Sequence, residues 1–219
     1  NHVISVSKKS GVNDIVAILG HESDVVKEKL PKDTMIAMQT DQLGTGHAVM
    51  MAKEYINDND TIVVLCGDTP LVKEETLKRL FDYHIEHGYH ATVLTTTVDN
   101  PTGYGRIIRD ENKDLLKIVE QKDANEEEKK AKEINSGIYC FNGKSLRESL
   151  DLLDNNNAQG EYYLTDTIKI MRGKGQKVGA FNGSTIEELM GVNSRVELSK
   201  AEEIMRRRIN ESHMVNGVT

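Results

Sequence analysis

The residue best placed for chemistry in this 219-residue chain is an aspartate that follows an apolar run. In the stretch LCGDTPL (65–71), Asp68 comes after the run TIVVLC and one glycine. Ligands of open α/β sheets collect beyond the carboxyl ends of the strands. A carboxylate at that place suits a Mg²⁺ ion that bridges substrate phosphates. The alternative is that Asp68 only caps the turn or helix that follows, and the residues alone leave both open.

Two glycine-containing segments could bring backbone close to a ligand. QTDQLGTGHAVMMA (39–52) places Gly44 and Gly46 before an apolar, helix-forming run. A turn that leads into a helix N-terminus is the usual shape of an anion site, but the spacing fits neither GxGxxG nor GxxxxGK[ST]. In NPTGYGRIIR (100–109), two glycines flank Tyr104 and would permit close approach. A plain β-turn is the alternative for this second segment.

The stretch NNNAQGEYYLTD (155–166) is rich in uncharged polar side chains. Amides and hydroxyls suit the recognition of a neutral polyol or amide, while the alternative is an Asn-rich loop with Thr165 as a helix N-cap. His84, His87 and His90 suggest a metal site, but Gly88 ends their helix before His90. No cysteine or carboxylate completes a recognisable ligand set there. The sequence shows no Ser/His/Asp or Cys/His nucleophile set and no P-loop.

Composition describes a globular chain with 37% hydrophobic and 29% charged residues, long enough for one sizeable core. The net charge of −7 argues against general affinity for nucleic acid or anionic membrane, since both demand a positive surface. No apolar run approaches the ~20 residues of a membrane span, and no secretory pattern opens the sequence. We therefore expect a cytoplasmic protein. Cys66 and Cys140 lie in apolar runs and are expected to be buried free thiols.

Alternating helical and strand patterns predict an α/β protein. Near-continuous Val, Ile and Leu runs separated by helices predict parallel strands that are buried on both faces. The charged stretch 123–133 is expected to be a solvated loop or surface helix. The predicted strands are 13–20, 34–39, 61–68, 90–98, 106–109, 115–120, 134–141 and 176–181. The predicted helices are 1–11, 23–31, 44–56, 76–88, 146–153, 165–172 and 194 to about 210.

Seven stretches, taken in order, resemble one enzyme family. They are similar to the pyrophosphorylase half of the bacterial bifunctional N-acetylglucosamine-1-phosphate uridylyltransferase/glucosamine-1-phosphate acetyltransferases. The stretches are QLGTGHA, GDTPL, PTGYGRI, VEQKDA, INSGIY, NNNAQGEYYLTD and GVNSR, within residues 39–195. The resemblance implies a Rossmann-like mixed, mostly parallel sheet flanked by helices, of the nucleotide-diphospho-sugar transferase type. It implies a nucleotidyltransferase domain over 1–193 with a smaller sugar-binding lobe from about residue 99, and a C-terminal helix over 194–219.

The resemblance also assigns roles to nine residues. Contacts to the uracil base are implied for Gln39 and for the backbone of Gly44 and Thr45. Mg²⁺ is expected on Asp68 and Asn193, which carry the catalytic role. The N-acetylglucosamine pocket is expected to be lined by Gly105, Glu120, Asn135 and Thr165.

The reaction implied is UTP plus N-acetylglucosamine 1-phosphate giving UDP-N-acetylglucosamine and pyrophosphate, for cell-wall precursor synthesis. Such chemistry needs positioning and charge neutralisation rather than a protein nucleophile. The family's phosphate loop, with its arginine and lysine, and its first strand are not found in this sequence. The chain alone is therefore expected to be a weak enzyme. The homotrimer implied by the family is made by a left-handed β-helix domain that is also absent here.

Two alternatives stay open at this point. One is a pyrophosphorylase for another sugar phosphate or nucleotide, which its substrate profile would separate. The other is a non-catalytic regulatory module that kept this fold. The presence of Asp68, Glu120 and Asn193 argues against the second alternative, since such a module needs no metal and sugar ligands together.

Overall fold

The computed structural model describes residues 1–218 and shows helices on both faces of a mixed β-sheet. The strands are β1 (Val16–Leu19), β2 (Met35–Met38), β3 (Thr61–Val64), β4 (Ala91–Thr97), β5 (Arg106–Arg109), β6 (Leu115–Val119), β7 (Glu133–Asn142) and β8 (Val178–Asn182). The helices are α1 (His2–Lys9), α2 (Ser23–Lys27), α3 (Thr45–Met51), α4 (Glu74–Glu86), α5 (Gly143–Leu150), α6 (Asp166–Gly173) and α7 (Arg195–Val215). Short 3₁₀ helices cover Lys53–Tyr55 and Glu128–Lys130.

Strand β7 is the centre of the six-stranded sheet, in which five strands follow the order β6-β5-β7-β4-β8 and the sixth, β3, pairs with β7. Along one edge β7 pairs antiparallel with β4, and its other edge is shared by β3 and β5. Strand β8 pairs in parallel with β4, so β3, β4, β5 and β8 run in one direction and β6 and β7 in the other. Strands β1 and β2 form a separate parallel pair. The predicted mixed sheet with flanking helices is confirmed. Within residues 1–218, however, only β1–β2 and β4–β8 pair in parallel, so the expectation of mostly parallel pairing is wrong.

Strands β3 and β4 run in the same direction, as predicted for the apolar runs before residue 98, but they do not pair with each other. The antiparallel strand β7 lies between them, with Val63 and Thr92 both opposite Cys140. A continuous apolar run reports burial on both faces and carries no information about the direction of the neighbouring strand. Every position of β4 from Ala91 to Thr96 is indeed buried.

Several predicted boundaries also differ from those observed. Strand β3 ends at Val64, so Asp68 lies in the turn beyond the strand rather than at its last residue. Helix α3 ends at Met51 and is followed by a 3₁₀ turn over Lys53–Tyr55, so the regular helix does not continue to residue 56 as predicted. Helix α7 runs past residue 210 to Val215. Boundaries of this kind are set by tertiary contacts, which periodicity does not contain.

Alternate residues of the central strands enter two hydrophobic clusters on opposite faces of the sheet. Tyr139 and Phe141 pack in the cluster that receives α5 and α6, whereas Ile138 and Cys140 pack in the cluster under α4. Both cysteines are free, as predicted. Strands β5 and β6 contribute to the first cluster as well, so the sugar-binding lobe from about residue 99 stays a prediction. Within residues 1–218, no helix combines the length and hydropathy needed to cross a bilayer.

Helix α4 buries His84 against the sheet instead of presenting it to a metal. The His84 side chain is 4% exposed, and its Nδ1 lies 2.9 Å from Thr92 Oγ1. Burial, with a smaller contribution from His90, lowers the pKa of His84 to about 4. His87, by contrast, is exposed and stacks on Tyr89, with ring centroids 5.4 Å apart.

We expect His84 to make the protein less stable in acid. Its pKa is about 4 in the folded chain and 6.5 for an ordinary histidine, so the unfolded chain binds the proton first as pH falls. The free energy of unfolding that depends on a neutral His84 is fully present above pH 6.5 and is lost as pH falls from 6.5 to 4. The loss amounts to about 3 kcal/mol. Urea unfolding of wild type and His84→Asn across this range measures it, with His213→Asn as the exposed control. Equal pH profiles for wild type and His84→Asn would refute the assignment.

Candidate active site

The turn before α3 is held against the segment 161–165 by backbone contacts. Gly46 N donates to Tyr162 O at 2.7 Å, and Tyr162 N donates to Leu43 O at 2.8 Å. A Cβ on Gly44 would lie 2.6 Å from Tyr162 O, and Gly44 has φ +108°. Glycine at position 44 is therefore required by the packing of two backbone segments.

The three residues predicted to contact the uracil base lie together in this turn. Gln39 Nε2 donates to Gly44 O at 3.1 Å, and it lies 3.1 Å from His47 Nδ1. Thr45 Oγ1 accepts from Leu164 N at 3.1 Å, so its side chain is occupied and its backbone is what remains for a ligand. The base-contacting role of Gln39, Gly44 and Thr45 stays a prediction, while their grouping is observed.

The four residues predicted for the sugar pocket also meet. A Cβ on Gly105 would lie 3.3 Å from Glu120 Oε2 and 3.4 Å from Asn135 Cβ. Thr165 Oγ1 donates to Glu120 Oε1 at 3.4 Å. Thr165 occupies the N-cap position of α6, but its side chain makes no capping bond to the described residues of that helix. Its hydroxyl thus faces the pocket, which favours the recognition alternative over simple capping.

Glu120 is the only carboxylate among these four pocket residues, and its surroundings raise its pKa above the ordinary value. Burial raises the pKa of Glu120, the Thr165 hydroxyl lowers it, and the carboxylates of Asp123, Asp166 and Glu161 raise it further. A half-buried carboxyl group beside a hydroxyl and an amide can hydrogen-bond the hydroxyl groups of an uncharged ring. The pocket therefore suits a neutral polar group.

Asp68 and Asn193 lie beside one another in a cleft of about 450 Å³. A Cβ on Gly191 would lie 3.0 Å from Asp68 Oδ2 and 3.2 Å from Asn193 Nδ2. Val192 N donates to Asp68 O at 2.8 Å, which ties the two segments together. The cleft is lined by Cys66, Asp68, Thr69, Thr102, Gly103, Tyr104, Ser136, Leu189, Met190, Gly191, Asn193 and Glu197.

The donor set of this cleft fits Mg²⁺. Asp68 offers carboxylate oxygens and Asn193 an amide oxygen, and both side chains are exposed to the cleft. Residues 1–218 contain no group of three or more His, Cys, Asp or Glu side chains that could form a closed metal site. Mg²⁺ usually takes one or two carboxylates, several waters and substrate phosphates. Two oxygen donors at an open cleft are therefore sufficient.

The cleft and the pocket predicted to bind the sugar adjoin through one backbone segment. Asn135 Oδ1 accepts from Gly137 N at 2.9 Å, and Cys66 Sγ lies 3.6 Å from Gly137 O. Burial, and then the charge of Asp68, raise the pKa of the Cys66 thiol to about 11, so it stays protonated at neutral pH. This thiol is not an activated nucleophile.

Sequence reasoning missed Glu197, whose carboxylate also lines the cleft. Glu197 Oε2 accepts from Asn193 N at 2.8 Å, and Glu197 N donates to Ser194 Oγ at 3.2 Å. The Ser-x-x-Glu spacing at the start of α7 is the capping-box pattern and could have identified it. Glu197 thus fixes the backbone of Asn193.

Comparison with known proteins identifies the family of this chain. A family model described as Nucleotidyl transferase matches residues 1–186. The chain is 84% identical over 219 residues to the Bifunctional protein GlmU of Clostridioides difficile (strain 630), covering 100% of this chain and 48% of that protein. The Bifunctional protein GlmU of Alkaliphilus oremlandii (strain OhILAs) is 55% identical over 219 residues, again 48% of its length.

Solved structures of similar fold include UDP-glucose pyrophosphorylase. Its complex with UDP-glucose has a TM-score of 0.70 at 14% identity and covers 92% of this chain and 86% of that chain. The apo form has a TM-score of 0.71 at 15% identity and covers 94% of this chain and 86% of that chain. At such identities the likeness concerns the fold alone.

The family assignment rests on the match over most of the chain. This chain spans about half the length of the curated relatives it matches. The match to the family model extends over both the turn that contains Gly44 and the turn that contains Asp68. The chain belongs to the nucleotidyl transferase family.

Proposed function

We propose that this chain carries a uridylyltransferase site that makes UDP-N-acetylglucosamine and pyrophosphate from UTP and N-acetylglucosamine 1-phosphate. The observation that carries the proposal is the pocket of Gly105, Glu120, Asn135 and Thr165 beside the Asp68 cleft. Identity of 84% to a Bifunctional protein GlmU supports this choice of substrates. The product would serve cell-wall precursor synthesis.

The nucleotide would lie along the turn before α3. Gln39 and the backbone of Gly44 and Thr45 would contact the uracil base, since Thr45 Oγ1 is already engaged with Leu164 N. The rigidity of this turn supports the role, because hydrogen bonds to segment 161–165 fix the backbone groups before a ligand arrives.

Asp68 and Asn193 would hold Mg²⁺, and the bound ion would supply positive charge to offset that of the phosphates. The residues of the cleft would align a phosphate oxygen of the sugar phosphate with the α-phosphorus of UTP for in-line displacement of pyrophosphate. Positioning of the two substrates accounts for the chemistry without a protein nucleophile. The protonated Cys66 thiol is consistent with that view.

The test is pyrophosphate release by the full-length protein with UTP and N-acetylglucosamine 1-phosphate. Other nucleoside triphosphates and other hexose 1-phosphates serve as competing substrates. A preference for a different pair would establish the first alternative, and no turnover of any pair by a folded protein would establish a non-catalytic module. The cytoplasmic location and a homotrimer formed through a β-helix domain stay predictions for the full-length protein.

Loss of the Asn135 or the Glu120 side chain should weaken sugar phosphate binding more than UTP binding. We expect Asn135→Ala and Glu120→Ala to raise KM for N-acetylglucosamine 1-phosphate by about 5- to 150-fold, because a buried polar group left without its partner costs about 1–3 kcal/mol. Steady-state kinetics with each substrate varied in turn measures the effect. Asn112→Ala, on the exposed β5–β6 turn, is the control. A raised KM for UTP with an unchanged KM for the sugar phosphate would show that the pocket has been assigned to the wrong substrate.

A further inference from the structure

Arg106 is a buried arginine whose guanidinium is not paired with any carboxylate of residues 1–218. Arg106 is the first residue of β5, directly after Gly105, and it is 2% exposed. In the described part of the chain its hydrogen bonds go to Tyr104 O and, at 2.6 Å, to Gln121 Oε1. Its Nε is buried and has no partner among those residues. Burying a charge without an opposite charge is costly, so this arrangement stabilises the protein less than an apolar side chain could.

Gln121 joins this guanidinium to the loop in front of the sugar pocket. The same Oε1 atom that accepts from Arg106 also accepts from Gly103 N at 3.2 Å. Gln121 directly follows Glu120, and Arg106 directly follows Gly105. We call these contacts the Arg106–Gln121 clasp, comprising the two side chains, Gly103 N and Tyr104 O.

The clasp fastens the two segments that carry pocket residues. Thr102, Gly103 and Tyr104 line the cleft of Asp68, and the next residue, Gly105, faces Glu120. The hydrogen bonds of the clasp therefore fix the cleft wall and the position of Glu120 at once. A guanidinium presents several donors in one plane, so it can hold a carbonyl and an amide oxygen together.

We propose that Arg106 and Gln121 are positioning residues for the sugar phosphate, holding the loop 102–105 against Glu120 in the arrangement that binds it. The proposal rests on the proposed function for the identity of the substrate. It does not require either side chain to touch that substrate. Their own hydrogen bonds are already made within the protein.

The kinetic test compares Gln121→Met with Gln121→Glu in the full-length protein. Methionine keeps the length of the side chain but removes the acceptor, whereas glutamate keeps acceptor oxygens for both Arg106 and Gly103. We expect Gln121→Met to raise KM for N-acetylglucosamine 1-phosphate by at least about tenfold, with KM for UTP changed by less than about twofold. Gln121→Glu should return the sugar phosphate KM to within about threefold of wild type.

Three outcomes of these kinetics would overturn the proposal. They are an unchanged sugar phosphate KM in Gln121→Met, a parallel rise in both KM values, and a Gln121→Glu variant no better than Gln121→Met. Circular dichroism and thermal unfolding of each variant show that it is folded, and a structural defect alone would move both KM values together.

Amide hydrogen exchange tests the clasp without any substrate. In the ligand-free protein, the Gly103 amide should exchange at least about fivefold faster in Gln121→Met than in wild type or Gln121→Glu. Equal exchange rates would show that the clasp does not hold the loop and would overturn the proposal. If the wild-type protein lacks turnover with this substrate pair, the proposed function fails, while the exchange of Gly103 still decides whether the clasp exists.

Discussion

Replacing Asp68 by asparagine should lower turnover by at least about 10²–10³-fold while the protein stays folded. The Asp68 side chain is exposed in the cleft, and it is the Asp68 backbone that binds Val192. Asparagine keeps the shape of the side chain and removes its charge, so the loss reports on phosphate and metal chemistry. Pyrophosphate release at saturating UTP and sugar phosphate measures the effect, and titration with Mg²⁺ should show a raised half-saturating concentration.

Asp99→Asn is the matched control for this experiment. Asp99 is an exposed carboxylate that pairs only with Lys132, at 3.5 Å, in the described chain, and exposed ion pairs contribute little. We expect its turnover and Mg²⁺ dependence to equal those of wild type. Near-normal turnover of a folded Asp68→Asn variant would reduce Asp68 to a turn residue and would contradict the proposed metal site.

Replacing Gly44 by alanine should disrupt both the stability of the protein and its nucleotide binding. Gly44 has φ 108° and ψ 176°, a backbone region that is essentially restricted to glycine. Its new methyl group would also lie 2.6 Å from Tyr162 O. We expect the free energy of unfolding to fall by about 2–5 kcal/mol and affinity for UTP to fall by at least about tenfold. Urea unfolding and calorimetric titration with UTP measure the two effects.

Gly175→Ala separates crowding from backbone strain. Gly175 also has a positive φ, +75°, but a Cβ there would meet no atom of residues 1–218 within 4 Å. Only the strain of the left-handed backbone remains, about 1–2 kcal/mol, and UTP affinity should not change. Similar losses of stability for the two variants, or unaltered UTP binding by Gly44→Ala, would show that contact with Tyr162 does not shape the nucleotide site.

The pattern of apolar residues predicted most elements of the sheet but gave no information about which strands are neighbours. Burial on both faces leaves a continuous apolar run, and β4 shows one. The position of β7 between β3 and β4 depends on which edges meet in three dimensions, and periodicity does not record that choice. The end of β3 at Val64 was missed for a similar reason, because Leu65 and Cys66 remain apolar after the strand has ended.

The site residues that lie in recognisable motifs could be predicted from the sequence. Those whose role depends on contacts between distant segments could not. The order of the motifs suggested Asp68, Asn193 and Glu120, and the structure brings each to the predicted neighbours. The residues alone left open whether the turn at Gly44 cradles phosphate. Arg106 and Gln121 gave no signal, because an arginine in a strand is usually half exposed and its burial follows from tertiary packing.

The central place of β7 has a consequence for how the chain acquires its fold. Strands β3 and β4 both pair with β7, which begins at Glu133, well after both have been synthesised. Until then, their apolar strand edges have no partner in the six-stranded sheet, and such edges invite association with other chains. Contacts between residues far apart in sequence also slow folding. Ribosome-bound chains that stop before Asn142 should therefore depend on chaperones, and β3 and β4 should join the sheet only after β7 has been synthesised.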